Sequence, residues 1–253
     1  KFKEIEVLNR RATSPKSITV LTSLKGARVK DISRRGKFLW FELDRPEVLV
    51  GHLGMSGQFL IQPKSASDER HLRVRFNLGK HELRFIDQRT FGWLGVEETV
   101  NGLPTCVQHI APDPFDPAFN LAETILRFSK KKTEIKRALL DQSVMSGVGN
   151  IYADEILHLA KLRPDRLPGR LTNATLLGLH AAILKVLNHA VEAGGSTLKD
   201  TQYVDLDGQT GSFQDQHRVY GRAGLPCLTC RKGRILMTVV AGRTTCYCSA
   251  CQH

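Results

Sequence analysis

The sequence lacks the marks of several large protein classes. It has no signal-peptide pattern and no long apolar run, so the expectation is a protein that does not span a membrane. No internal repeat or low-complexity block occurs, which sets repeat arrays aside. Cysteine is scarce: there are 6 in 253 residues, and all but Cys106 fall in the last 27. A disulfide framework would also need an oxidising compartment, and nothing directs the chain to one. Acidic residues are in deficit, 25 against 37 Lys and Arg, for a net charge of +12. That balance points to a polyanionic partner, with a generally basic surface as the plainer reading. The apolar fraction of 41% supports a real core, and the length has room for two domains and a small appendage.

The clustered cysteines carry the strongest local signal. Cys227-Leu-Thr-Cys230 is followed, after 17 residues, by Cys248-Ser-Ala-Cys251. Two such knuckles offer four thiolates, the full tetrahedral shell of one structural zinc ion. Cys246 lies outside the knuckle and is left out of the set, and isolated Cys106 reads as a small buried apolar residue. Between the knuckles stand Lys232, Arg234 and Arg243, with Ala241-Gly242 as the one available turn. This predicts a basic β-hairpin mounted on zinc, suited to touching nucleic acid.

The rest of the chain divides by period. Short β-prone runs occur at 37–43, 48–50, 59–61, 71–76 and 82–86, separated by Gly, Pro, Asp and Lys breaks. They predict a sandwich or barrel. Three prolines in Ala111–Pro117 read as a linker. Beyond it the period turns helical, clearest over 172–191, where Gly194-Gly195 stops the helix. The Asp-, Gly-, Gln- and Ser-rich stretch 200–219 reads as a long loop.

Several motifs admit two readings. Gly147-Val-Gly149-Asn150 predicts a tight turn with Asn150 near a helix N-cap, which is either a phosphate site or a plain capped turn. Lys130-Lys131-Lys132 is either phosphate-seeking or a solvated face. Lys37, after Arg34-Arg35-Gly36, is either a proton-transfer amine or a surface lysine. Met55 in His52-Leu-Gly-Met-Ser-Gly57 is either a wedge between bases or core, and so is Phe91 in Asp87-Gln-Arg-Thr-Phe-Gly92.

The ordered set RRGKFLW, HLGMSGQ, DQRTFG, KKKT, LLDQSVMSGVGNIYADEIL, VYGR and GRTTCYCSACQ resembles the formamidopyrimidine-DNA glycosylases of the Fpg/Nei superfamily, from about Val7 to the C-terminus. The resemblance implies an α+β multidomain chain. Residues 1–113 would form an N-terminal β-sandwich, incomplete at its start. Residues 114–218 would form a helix–two-turn–helix DNA-binding domain, with a lesion loop at 203–217. Residues 219–253 would be a zinc finger carrying one structural Zn2+ on Cys227, Cys230, Cys248 and Cys251. It implies excision of oxidised purines (8-oxoguanine and formamidopyrimidines) from double-stranded DNA and β,δ-elimination at the abasic site, by a monomer in the bacterial cytoplasm, associated with the nucleoid. Lys37 would transfer protons during β-elimination, and Arg243 would serve δ-elimination and grip phosphates. Met55, Arg89 and Phe91 would fill the gap left by an extruded nucleotide, Arg89 pairing with the orphaned base. His71, Lys131, Asn150 and Tyr220 match phosphate-contacting positions, and His52 joins the DNA-binding set at the head of its motif.

The family pattern opens, after Met removal, with Pro-Glu-Leu-Pro-Glu, whose proline amine attacks C1′ of the damaged nucleotide. No such stretch occurs here, and the resemblance places it on the order of 20–30 residues ahead of the matched region. A second expectation follows: a relative that binds lesions or abasic DNA without cutting by the proline route. A third reading, a zinc-ribbon protein unrelated to repair, leaves the Met55, Arg89 and Phe91 loops unexplained.

Overall fold

The computed structural model describes residues 1–13, 18–197, 204 and 209–253. The chain divides into two compact units, Lys1–His109 with Thr197–Thr210, and Ile110–Ser196 with Gly211–His253.

The first unit opens with β1 (Glu4–Val7), the short helix α1 (Ile18–Thr22), β2 (Val29–Arg35), β3 (Phe38–Leu43) and β4 (Val48–His52). There follow β5 (Gly57–Pro63), β6 (Leu72–Asn77), β7 (His81–Asp87) and β8 (Trp93–Glu97), then the small pair β9 (Thr99–Val100) and β10 (Leu103–Pro104). Two antiparallel four-stranded sheets result, ordered β1-β6-β7-β5 and β2-β3-β4-β8. Alternation makes the layers: in β6, Leu72, Val74 and Phe76 are buried while Arg73, Arg75 and Asn77 are half-buried. Phe76, Phe85, Phe41, Leu49 and Leu94 meet in one core drawn from both sheets, and the Phe41 and Phe59 rings lie 5.4 Å apart. This is the expected sandwich. The sequence reading did not place β1, β2 and β8. β2 is an edge strand whose Lys30, Asp31, Ile32 and Arg34 are exposed, so it lacks the buried alternation that marks a strand, while β1 alternates but is only four residues long.

The second unit contains α2 (Leu121–Ser129), α3 (Ile135–Leu140), α4 (Asn150–Leu159), α5 (Asn173–Glu192) and the hairpin β11 (Ile235–Val240) and β12 (Arg243–Cys248). Thr172 caps α5 by accepting from the Thr175 N–H at 3.2 Å, and Gly194 and Gly195 end it at φ 68° and 82°. By length and composition α5 could cross a membrane, with a mean hydropathy of 1.3. Its Leu176, Leu179, Ile183 and Val186 are instead packed into the core of this unit. The proline-rich stretch after Ile110 is docked rather than loose. Ala111 N–H donates to the Gln142 carbonyl at 2.9 Å, and Asp113 is 2% exposed. Prolines lack donors but leave carbonyls, and the turn after α3 uses them: Ser146 N–H reaches the Pro112 carbonyl at 3.5 Å.

Candidate nucleic-acid interface

In the strand unit the candidate residues lie on turns at strand ends. Gly36-Lys37 is the two-residue turn joining β2 to β3, with Gly36 at φ 58° and Arg35 paired to Phe38. A glycine at the first turn position suits the twist of the hairpin and holds the exposed Lys37 at its tip. His52, at the end of β4, lies face to face with Trp93 at 6.3 Å and against Phe38 at 4.8 Å. Burial, and then the Lys37 charge, lower its pKa below the ordinary histidine value. Its Nδ1 accepts the Gly54 N–H at 3.2 Å, so the neutral ring carries its proton on Nε2. His71 sits half-buried just before β6.

Met55 and Phe91 are 49% and 60% exposed, unusual for large apolar side chains. Met55 lies on the β4–β5 loop, and Arg89 and Phe91 lie on the β7–β8 loop. The Arg89 guanidinium stands 3.7 Å from the Met55 sulfur. The loops touch backbone to backbone: a Cβ on Gly54 would sit 2.5–2.7 Å from the main chain of Phe91 and Gly92. Only glycine allows that approach.

In the helical unit Asn150 is the first residue of α4, and Gly149 (φ −113°, ψ −179°) takes the cap position. Asn150 thus lies next to the cap, as the sequence suggested, and Gly149 supplies the extended backbone that a cap needs. The Asn150 Nδ2 donates to the Thr244 carbonyl at 3.2 Å, tying the helix start to β12. Lys131 pairs with Asp141 at 2.6 Å. Burial opposes charge on Asp141, yet hydrogen bonds from Lys131 and Ser143 hold its carboxyl below the ordinary value. An open cleft of about 560 Å³ is lined by Lys131, Arg137, Asp141 and Arg243. Three cations around one acid leave it net positive. Tyr220 is half-buried, and the carboxylate of Glu155 holds its turn by accepting the N–H groups of Arg218, Val219 and Tyr220 at 2.8, 3.0 and 2.8 Å.

Arg243 is exposed and opens β12 behind the turn Ala241-Gly242, whose φ angles are 50° and 74°. Two successive positive φ values are the signature of a tight hairpin turn. The ligand atoms of Cys227, Cys230, Cys248 and Cys251 lie within 4.8 Å of one another. Their sulfurs pair at 3.6 Å (Cys227 and Cys251) and 3.8 Å (Cys230 and Cys248). Four thiolates about 2.3 Å from a tetrahedral ion would be about 3.8 Å apart, so the donor set fits such an ion. N–H groups of Gly233 and Lys232 lower the Cys230 thiol to about 6, whereas burial raises the thiols of Cys248 and Cys251. Cys246 is buried, outside the cluster, with its N–H on Asp154 at 2.9 Å. Cys106 is half-buried. Of the expected lesion loop 203–217, residues 203 and 205–208 lie outside the described residues.

Two family models match this chain: the formamidopyrimidine-DNA glycosylase N-terminal domain over residues 1–94 and its H2TH domain over 110–202. The formamidopyrimidine-DNA glycosylase of Salinispora tropica is 44% identical across 98% of this chain and 88% of its own length. That of Acidothermus cellulolyticus is 46% identical over 90% and 81%. The chain belongs to the formamidopyrimidine-DNA glycosylase family. It is therefore a DNA glycosylase of base-excision repair. Among solved structures, a Lactococcus lactis Fpg mutant in complex with Fapy-dG containing DNA superposes with a TM-score of 0.89 at 32% identity, covering 100% of this chain and 92% of that one. The Lactococcus lactis Fpg complex with abasic-site DNA gives 0.88 at 32% identity, with the same coverage.

The structure also assigns work to residues of this glycosylase that sequence reasoning passed over. Lys136 and Asp154 are both fully buried and form an ion pair at 2.6 Å. Lys136 also donates to the Thr244 carbonyl and Thr245 Oγ1, at 2.9 and 2.8 Å. The pair thus bolts α3 and α4 to the strand that begins at Arg243. Burial disfavours both charges, raising Asp154 to about 6 and lowering Lys136. The available signal was a charged residue on the apolar face of each helix.

Proposed function

We propose that this glycosylase releases oxidised purines from duplex DNA and then opens the strand at the abasic site by β- and δ-elimination. The observation that supports this best is the meeting of Met55, Arg89 and Phe91 on two interlocked loops, with two apolar groups exposed beside one guanidinium. Chemistry at a base within a duplex requires that base to leave the stack, at a cost of a few kcal/mol. Met55 and Phe91 offset the cost by filling the gap, and Arg89 pairs with the orphaned base. His71, Lys131, Asn150 and Tyr220 hold phosphates, and His52 belongs to the wider DNA-binding set.

In the family an N-terminal proline amine attacks C1′, the glycosidic bond breaks and a Schiff base forms. That proline segment does not occur among these 253 residues, which supply instead the groups around the nucleophile. Lys37 moves protons during β-elimination, for which an exposed amine on a rigid turn is well placed. Arg243 draws the phosphate leaving group in δ-elimination. Cys227, Cys230, Cys248 and Cys251 would hold one zinc ion, which would act as a structural cross-link. All four positions being thiolates, no site remains for substrate. The protein acts on DNA in the bacterial cytoplasm. The binding-only reading is not favoured, since relatives that match nearly the whole chain carry the glycosylase name.

Borohydride trapping tests the reading. Protein bearing the family's Pro-Glu segment ahead of Lys1 is mixed with duplexes holding 8-oxoguanine, an oxidised pyrimidine or a normal guanine. A covalent adduct and β,δ-products on the 8-oxoguanine duplex are expected. Adducts on the pyrimidine lesion alone would overturn the purine assignment.

A further inference from the structure

We infer that Asp87 is a positioning residue that holds the two gap-filling loops as one rigid body and so sets the preference for damaged over intact DNA. The inference rests on the proposed role of those loops. Asp87 is fully buried at the end of β7. One carboxylate oxygen accepts from Ser56 Oγ at 2.5 Å, and the other accepts from the Gly92 N–H at 2.7 Å. The Arg89 N–H is shared between Ser56 Oγ at 2.9 Å and Asp87 at 3.2 Å. Ser56 follows Met55, and Arg89 to Gly92 bracket Phe91. A single carboxylate therefore clasps both loops next to each residue that would enter the duplex. Its own backbone is fixed in turn: the Asp87 carbonyl accepts from Arg73 Nε at 2.7 Å, and its N–H reaches the His71 carbonyl at 3.0 Å.

The clasp also holds a strained residue. Thr90 stands between Arg89 and Phe91 with φ at 55°. A β-branched residue rarely adopts this left-handed conformation, and it persists only where its surroundings impose it. The Arg89 and Gly92 N–H groups that impose it here both end on Asp87. Without the carboxylate, Thr90 can relax toward negative φ, which swings Arg89 and Phe91 away from Met55. Lys131, the lysine proposed to hold a phosphate, belongs to neither loop.

The test measures equilibrium binding to three duplexes: undamaged, or with a tetrahydrofuran abasic analogue opposite cytosine or opposite adenine. A 2-aminopurine beside the analogue reports unstacking. The parent chain is expected to prefer the analogue, and a parent with no preference would defeat the proposed function itself. Asp87→Asn places an amide N–H against a backbone N–H. It is expected to cut the preference for the analogue about 10- to 100-fold, to flatten the cytosine-to-adenine difference and to leave undamaged-duplex affinity within about 2-fold. Adding Thr90→Gly, which takes φ 55° without strain, should restore part of the loss. An Asp87→Asn chain that keeps the preference overturns the inference. So does an equal loss on every duplex, or a double variant with no recovery. If Asp87→Asn does not fold, Ser56→Ala answers instead: about a 5-fold loss of preference supports the clasp, and none refutes it.

Discussion

Removing half of the Lys136–Asp154 pair should unseat the Arg243 hairpin. The two charges sit 2.6 Å apart, both with zero exposure. At an effective dielectric of about 20, their attraction is roughly 6 kcal/mol, set against a desolvation cost of several kcal/mol per ion. Asp154→Asn forfeits the attraction and leaves the desolvated ammonium in place. It also sets an amide NH2 against either the Cys246 N–H or the Lys136 ammonium. The expected cost is about 3–5 kcal/mol, typical of breaking a buried pair, or about 10–15 °C in the melting of the helical unit. Lys136→Met with Asp154→Leu removes both charges and should recover most of that loss. Calorimetry gives the melting temperatures, and hydrogen exchange at Thr244 to Cys246 shows whether β12 detaches first. A single variant within about 1 kcal/mol of the parent, or a double variant no better than Asp154→Asn, would refute the bolt.

Three other outcomes follow. Arg243→Ala should weaken DNA binding and reduce the slope of log affinity against log salt by about 0.9, checked by a salt titration. Chelating metal should release the C-terminal hairpin and abolish DNA binding, while the strand unit melts as before in calorimetry. His52 is held below its unfolded value of about 6.5, so the unfolded chain takes up its proton first as the pH falls. Stability of the strand unit should therefore drop from about pH 7 downward through the lowered value, and His52→Gln should flatten that slope in urea melts at stepped pH.

The parts of this molecule that declare themselves locally were legible in the sequence. Short β-prone runs between breaks marked β3 to β7, Thr172 and the Gly194-Gly195 pair bounded α5, and the two cysteine knuckles foretold the four-sulfur cluster. Ala241-Gly242 is the hairpin tip, as the one available turn between the knuckles suggested. The edge strand β2 was missed because exposed residues occupy both of its faces, and β1 because a four-residue alternation is too short a signal. The Asp87 clasp and the Lys136–Asp154 bolt were missed for another reason. Each depends on partners distant in sequence, Ser56 for Asp87 and Thr244 for Lys136, and a carboxylate reads the same in sequence whether it ends in water or on three donors. The docking of Ala111–Asp113 escaped for a related reason: prolines announce what a segment cannot form, not which carbonyls a neighbouring turn will use.

The most direct test is a crystal structure of this protein with a duplex containing a tetrahydrofuran abasic analogue opposite cytosine. The Met55 and Phe91 side chains are expected inside the base stack, with Arg89 facing the orphaned cytosine and the analogue turned out of the helix. A stacked, unbroken duplex with those three side chains outside it would contradict the proposed role of the two loops.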